Sequence, residues 1–283
     1  MSGTIRAGVM GWPISHSRSP VLHGHWLKRY GIDGSYVAIP VRPDDLGPAL
    51  RALPGKGFAG VNLTVPHKEL AMDIVDRVDT VGARIGAVNT IVVGVDGTLA
   101  GTNTDAYGFI ENLRQGAGGS LDWWRARPAV VLGAGGASRA VVVALCDAGL
   151  TALRLVNRTR DRTERLAELV DRCGGAAQVV DWEDRAAALD GAGLLVNSTT
   201  LGMQGAPPLD LTLDALPVDA LVHDIVYAPL ETGLLAAARA RGNQVVDGIG
   251  MLLYQAQPAF EAWFGRRPAV DADLRAAVLA AAV

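Results

Sequence analysis

The chain has 283 residues, 49% of them hydrophobic, with a formal net charge of −3 and two cysteines. That length supports a large core or two of ordinary size. The charge balance and the absence of Lys/Arg runs exclude the footprint of a nucleic-acid or membrane-surface binder, and no stretch stays apolar for the ~18 residues of a membrane helix.

Cys146 and Cys173 lack metal-ligand spacing and fall in helical patterns, so they read as packing residues of a reduced compartment, with no metal site expected. The opening "MSGTIRAGVMGWPIS" has no charged leader followed by a long apolar core, and the expectation is a cytoplasmic protein. Nothing in the sequence chooses between a monomer and a homodimer.

In chain order, "AGVMG", "SYVAIPV", "GVNLTV" and "AVNTIVV" are short apolar runs alternating with helical patterns such as "SPVLHGHWLKRYG" and "PDDLGPALRAL". Such alternation predicts a mainly parallel sheet covered by helices. In "GVNLTVPHKE" a buried strand over residues 61–65 is cut off by Pro66, which cannot donate to a ladder. Lys68 then sits at the mouth of a sheet, where α/β proteins hold ligands, although for a lysine taken alone a solvated first helical turn is the favoured explanation. "VVGVDGTLAG" predicts a hairpin through Asp96-Gly97. "TDAYGFIENLRQ" predicts a connecting helix, and the Gly-rich "GAGGSLDWWRARP" reads as an irregular interdomain passage.

From Pro128 the strands "AVVL", "LRLV", "GLLVN", "ALVHDIV" and "QVVD" recur between helical stretches, the pattern of a doubly wound domain. The tail carries two amphipathic helices without a strand of their own, which must pack back on a domain to bury their stripes. The expected organisation is two α/β domains with a cleft between them. Residues 1–104 form a substrate domain, residues 105–249 a Rossmann-type domain, and the helices of about 250–283 return to the first.

The turn Gly133-Ala134-Gly135-Gly136-Ala137 after "AVVL" leads into a helix, so backbone amides and the helix dipole can meet a pyrophosphate. Ser138 replaces the third glycine of G-x-G-x-x-G, a small residue that still permits close helix packing. About twenty residues on, an NAD site places an acid for the ribose 2′-hydroxyl. Here the second strand ends in Asn157-Arg158-Thr159, followed by Arg162, and guanidinium groups suit the 2′-phosphate of NADP. Two cations at a helix N-terminus also oppose its dipole unless an anion is bound there.

Ser17 and Ser19 stand beside Pro20 at a helix start, where hydroxyls and free amides can hold a carboxylate, and Ser19 alone is equally explained as an N-cap. Asn89 lies in or beside an apolar strand, and Asp105 begins a helix. His16, His23, His25 and His67 read as structural or peripheral.

The ordered series "GWPISHSRSP", "GVNLTVPHKE", "GAVNT", "GTNTDAYGF", "GAGGASRA", "NRT", "NSTTLGM", "DIVYAPLET" and "DGIGMLLYQAQPAF" resembles the shikimate dehydrogenases over nearly the whole length. The resemblance implies reversible reduction of 3-dehydroshikimate to shikimate by NADPH. It implies that Ser17 and Ser19 hold the substrate carboxylate, that Thr64, Asn89 and Gln255 bond ring hydroxyls, and that Lys68 and Asp105 are the catalytic pair. Tyr227 then lies on the substrate side, with Thr199, Ile225 and Gly248 on the cofactor side. "HGHW" at 23–26 and Gly233 depart from the family pattern and leave local loop detail open. Competing readings are a quinate/shikimate dehydrogenase using NAD, a nucleotide-sensing regulator without catalysis, and a methyltransferase using the glycine turn for another nucleotide.

Overall fold

Short apolar runs separated by helical patterns build two separate six-stranded sheets. The computed structural model describes residues 4–119 and 126–281, and part of the Gly-rich passage read over 116–128 lies outside them. By internal packing the chain divides into two units, one of residues 4–104 with 253–281 and one of Asp105–Leu252.

The first unit begins with β1 (Ile5–Gly11), α1 (Ser19–Tyr30), β2 (Gly34–Pro40), α2 (Leu46–Arg51) and β3 (Phe58–Leu63). It continues through α3 (His67–Leu70), β4 (Arg77–Val78), α4 (Thr80–Ile85), β5 (Thr90–Val93) and β6 (Leu99–Thr102). The sheet order is β2-β1-β3-β5-β6-β4. β1 pairs in parallel with β2 and β3, whereas β5 runs antiparallel to both β3 and β6, so the sheet is mixed.

β3 ends at Leu63, two residues before the expected limit. The next residues leave the regular ladder for single bonds to the end of β1, Thr64 N donating to Met10 O at 3.0 Å and Trp12 N to Val65 O at 3.1 Å. The hairpin between β5 and β6 turns at Asp96-Gly97. Gly97 has φ +83°, and Asp96 Oδ1 accepts from Thr98 N at 3.0 Å.

One face of this sheet is covered by an aliphatic cluster including Met10, Leu46, Leu50, Val61, Leu63 and Ile91. Aromatic rings form a second buried group, with Trp26 and Phe260 5.2 Å apart in T-shaped contact. Each such ring removes enough apolar surface to favour folding by roughly 4–6 kcal/mol before conformational entropy is charged against it.

The second unit contains α5 (Asp105–Gly116), β7 (Ala129–Leu132), α6 (Gly136–Asp147), β8 (Ala152–Val156), α7 (Arg160–Arg172) and β9 (Ala176–Val180). It then runs through β10 (Leu194–Asn197), β11 (Leu221–Asp224), α8 (Gly233–Arg241) and β12 (Gln244–Val246). All its strand pairs are parallel, in the order β12-β11-β10-β7-β8-β9. Read from β9, that is the doubly wound order 3-2-1-4-5-6, whose direction of winding reverses beside β7. The central strands are buried on both faces and hence read as continuous Val/Leu runs.

The chain re-enters the first unit within α9 (Ile249–Phe264), followed by α10 (Ala272–Ala280). α9 accommodates Pro258 despite the ~3 kcal/mol such a residue costs inside a helix. Burial of Leu253, Phe260 and Trp263, with a Trp263 Nε1 bond to Ile91 O at 3.0 Å, offsets that cost.

Candidate active site

In the first unit, the predicted polar residues gather at one edge of the sheet. Thr64 and Lys68 follow the C-terminal end of β3. Because β5 is antiparallel to β3, with Asn62 opposite Thr90, Asn89 just before β5 comes to the same edge. Thr104 follows β6 and reaches it too, since Thr102 opposes Thr90.

Asn89 is 2% exposed and its amide is fully engaged. Its Oδ1 accepts from Thr104 N at 2.8 Å and from Thr90 Oγ1 at 3.0 Å. Its Nδ2 donates to Thr104 Oγ1 at 3.0 Å and to Gln255 Oε1 of α9 at 3.4 Å. Thr104 Oγ1 also donates to Gln255 Oε1, at 3.3 Å. Buried polar groups in this number are stable only when mutually satisfied, which fixes their orientations.

Lys68 is half-buried, and its carbonyl accepts from Val88 N at 2.8 Å, joining α3 to the segment that delivers Asn89. His67 beside it is buried and structural: Nε2 bonds Val41 O at 2.8 Å, and burial holds its pKa below the usual range, partly offset by that bond. Ser19 is the first residue of α1 and Arg18 takes the N-cap position, so Ser19 is not the cap. Ser19 N donates to Ser17 Oγ at 3.3 Å, bringing the two serines together in one turn.

In the second unit, Gly133 has φ +108°, a conformation open to glycine, and its N–H donates to Val156 O at 2.8 Å. A Cβ there would lie 3.0 Å from Ser198 Oγ and 3.1 Å from the Thr199 methyl, whereas at Gly135 it would meet nothing within 4 Å. The glycine turn is therefore packed on one side and open on the other, with Ala134, Gly136 and Ala137 beside it at the start of α6.

Ser138 explains its own departure from the glycine motif. It is fully buried, accepts from Gly135 N at 3.1 Å and meets Ser198 Oγ at 2.8 Å, tying the turn to the end of β10. Asn157 Nδ2 donates to Thr159 O at 3.1 Å. Arg158 and Arg162 are exposed, and among the described residues no acidic side chain pairs with either. Arg160 between them is held by Glu164 at 2.9 Å and Asp181 at 2.7 Å.

Thr199 is fixed through Asn197, whose Oδ1 accepts from Thr199 N at 3.1 Å and Oγ1 at 2.7 Å. Asn197 Nδ2 in turn donates to Asp224 Oδ1 at 3.0 Å. Asp224 also accepts from Val226 N at 3.0 Å and Thr232 Oγ1 at 2.7 Å. Burial pushes the Asp224 carboxyl up to about 6, against the three donors that favour its charge. This knot secures the turn carrying Ile225 and Tyr227. Gly248 lies so close to the backbone of Ile225 and Val226 that any Cβ would overlap both. Asp105 begins α5 and is 6% exposed.

Tyr36 lies outside the quoted motifs, and Asn62, Thr90, Thr104, Asn197 and Asp224 lie inside them without being given a role. The available signal is a polar residue inside an apolar strand, as in "GVNLTV", which requires a partner that the sequence does not name.

These features define the class: a two-unit α/β protein with a dinucleotide-type phosphate turn in one unit and a buried polar cluster at the sheet edge of the other. Three family models match the chain: the shikimate dehydrogenase substrate binding domain over residues 9–91, the shikimate / quinate 5-dehydrogenase model over 117–202, and the shikimate 5′-dehydrogenase C-terminal domain over 248–278. The chain belongs to the shikimate dehydrogenase family.

It is 60% identical over 282 residues to a protein of Paramagnetospirillum magneticum named shikimate dehydrogenase (NADP(+)), covering 99% of this chain and 100% of that one. Among solved structures, shikimate 5-dehydrogenase of Thermus thermophilus, in complex with NADP(H) and shikimate, superposes with TM-score 0.85 at 40% identity, covering 97% of this chain and 98% of that one. Quinate dehydrogenase of Corynebacterium glutamicum, in complex with NAD, superposes with TM-score 0.91 at 32% identity, covering 99% and 100%.

Proposed function

We propose that the protein catalyses the NADP-dependent, reversible interconversion of 3-dehydroshikimate and shikimate, with Lys68 and Asp105 as catalytic pair. The observation that supports this most directly is the sheet edge of the first unit, where a half-buried lysine and the buried Asn89–Thr104–Gln255 cluster accompany a serine turn. An edge with fixed amide and hydroxyl groups suits a small ring bearing several hydroxyls, and Ser17 and Ser19 at a helix start suit its carboxylate.

The residues of the second unit fit NADP. The open side of the Gly133–Ala137 turn offers backbone amides to the pyrophosphate, and Arg158 and Arg162 offer guanidinium groups to a 2′-phosphate, with Asn157 and Thr159 beside them. Ile225 and Gly248 are assigned to the nicotinamide, and Thr199 to the cofactor side. Bound NADPH supplies the hydride. Lys68 gives a proton to the ring oxygen as charge develops there, and its neutral amine takes that proton back in the reverse direction. Asp105 orients the lysine and the substrate hydroxyl, Thr64, Asn89 and Gln255 hold the other hydroxyls, and Tyr227 closes the substrate side.

Quinate carries one more hydroxyl, and the family includes a quinate dehydrogenase bound to NAD. The absence of an acid in Asn157-Arg158-Thr159 favours NADP over NAD. The test is initial-rate absorbance at the NADPH band with shikimate or quinate and NADP or NAD in all four pairings. Activity confined to shikimate with NADP is expected. Comparable activity with quinate or NAD would assign a broader dehydrogenase, and silence in all four a non-catalytic regulator. The reading extends to a cytoplasmic protein acting on small molecules, as a monomer or homodimer.

A further inference from the structure

Within the second unit, the turn that joins β12 to α9 is gripped by an asparagine to which no motif assigns a role. Asn112 lies on the buried face of α5 and is 7% exposed. Its Nδ2 donates to Asp247 O at 2.7 Å and lies 3.1 Å from His223 Nε2 of β11. An amide nitrogen carries two protons, so one atom serves both partners. The reversed amide would set its oxygen against the Asp247 carbonyl, which fixes the orientation. His223 is fully buried, and burial pulls its pKa down to about 4, partly offset by Asp247. Its ring is therefore neutral at neutral pH, and Nε2 can accept from the amide.

The fit around Asn112 is close. A Cβ at Gly250 would overlap both Oδ1 and Cγ of Asn112, so a larger residue at 250 displaces the amide. Gly248, between the two, lies against the backbone of Ile225 and Val226. Residues 247–250 are thus held by Asn112 at both ends and by the Ile225–Val226 backbone in the middle. The C-terminal end of α5 is fixed to β12 as well. Gln244 Nε2 donates to Gly116 O, and a Cβ at Gly116 would overlap the Val246 side chain. Asp105 stands about two turns, roughly 10 Å, back along α5 and on the same face as Asn112.

We propose that Asn112 is a positioning residue for hydride transfer: its amide holds the turn of residues 247–250 in fixed register with the helix that begins at Asp105. The inference rests on the functional reading above, which assigns Gly248 to the nicotinamide and Asp105 to the catalytic pair, and deepens it. Asn112 touches neither ligand in this account and acts through Asp247 and Gly250. Asparagine suits the place because it donates twice from one atom on a short side chain. Leucine would donate nothing, and aspartate would turn an acceptor to the Asp247 carbonyl. A turn displaced by about 1 Å would seat the nicotinamide off line, and misplacement of that size costs up to about 100-fold in rate.

Asn112→Ala removes the amide, and Gly250→Ala pushes it aside. In steady-state oxidation of shikimate by NADP on the purified full chain, each should lower kcat about 10–100-fold, with the shikimate KM within about twofold. The deuterium isotope effect on kcat, read with shikimate deuterated at the oxidised carbon, should be at least as large as in wild type, because the hydride step is the one slowed. In the double variant of Asn112→Ala with Gly250→Ala, the added methyl enters space that the amide has left. Its kcat should match that of Asn112→Ala alone rather than fall by the product of the two effects. The double variant also has the smaller void and gives the reading should Asn112→Ala not fold.

An unchanged kcat in a folded variant lacking the amide, with only the urea midpoint lowered, makes Asn112 a packing residue and overturns the proposal. A lower kcat with a diminished isotope effect does so too, as do effects of the two substitutions that multiply fully, or a shikimate KM that rises as much as kcat falls. A wild-type protein silent towards shikimate with NADP strikes the functional reading and this inference with it, whereas an active wild type indifferent to the substitutions strikes this inference alone.

Discussion

Lys68 and His23 are both cation-capable side chains of the first unit, and the structure gives them opposite settings. Lys68 is half-buried at the sheet edge, and if it is the proton donor proposed above its loss is felt in the chemistry. Lys68→Ala is expected to lower kcat by roughly 10²–10⁴-fold, the usual range for a general acid–base group, while NADP affinity measured by fluorescence titration stays unchanged. Near-normal turnover would remove Lys68 from the mechanism. His23 is fully buried with neither ring nitrogen hydrogen-bonded, and burial pulls its pKa down to about 3. Its pKa in the folded state lies below the unfolded value, so its contribution to stability is complete above about pH 6.5 and is lost as pH falls towards 3. At pH 4.5 that loss amounts to about 3 kcal/mol. His23→Phe keeps a ring against Tyr36 and should raise the urea midpoint at pH 4.5 while changing it little at pH 7.5. An acid loss as steep as in wild type would show that burial of this imidazole is not its source. Lys68 was legible because Pro66 marks the strand end locally. His23 and Tyr36 were not, since stacking between α1 and β2 leaves no trace in either segment alone.

At the scale of elements, β3 is pinned between β5 and α9 by a missing side chain. A Cβ at Gly60 would overlap Ile91 O and Trp263 Nε1, the two atoms that bond α9 to the sheet. Gly60→Ala should therefore destabilise the fold by about 1–3 kcal/mol, the range for overpacking, and a lowered denaturant midpoint with unchanged slope would record it. Gly24 in α1 is the contrast, since it is exposed, precedes no proline, and a Cβ there meets nothing within 4 Å. Gly24→Ala should raise stability by about 0.5–1 kcal/mol, as replacing glycine in a helix usually does. Equal effects of both would mean that the contact at Gly60 carries no weight. Elements with a local cause were readable from sequence: the Asp96-Gly97 hairpin, the strand stopped before Pro66, and the Gly133 turn into α6. Their pairing was less so, because the antiparallel placement of β5 beside β3 depends on Asn62, Thr90 and Trp263, which lie far apart in the chain. The edge-strand order of the first sheet follows from such nonlocal contacts, while the second sheet follows from the repeated strand–helix rhythm that admits few alternatives.

At the scale of the molecule, the two units are assigned different ligands, and amide hydrogen exchange can separate them. NADP should slow exchange around the Gly133–Ala137 turn and the start of α7, and shikimate should slow it around Thr64–Lys68, Asn89 and the first turn of α1. At a hundredfold excess over Kd each ligand should add about 2.7 kcal/mol to the stability it reports on. Shikimate protection confined to the Asp105–Leu252 unit would reverse the assignment. The division into two α/β units was legible from the change in rhythm near Pro128, and the return of α9 to the first unit was legible only as an unburied stripe in need of a partner. That return has a consequence for synthesis. The first unit lacks Gln255, Phe260 and Trp263 until an intervening segment of about 150 residues has left the ribosome, a wait of roughly 8–30 s at typical rates. The unit made first is thus finished last. During that interval the Ile91 carbonyl and the Asn89 amide stand without their α9 partners, so the nascent substrate half is the part of this chain with most to gain from a chaperone.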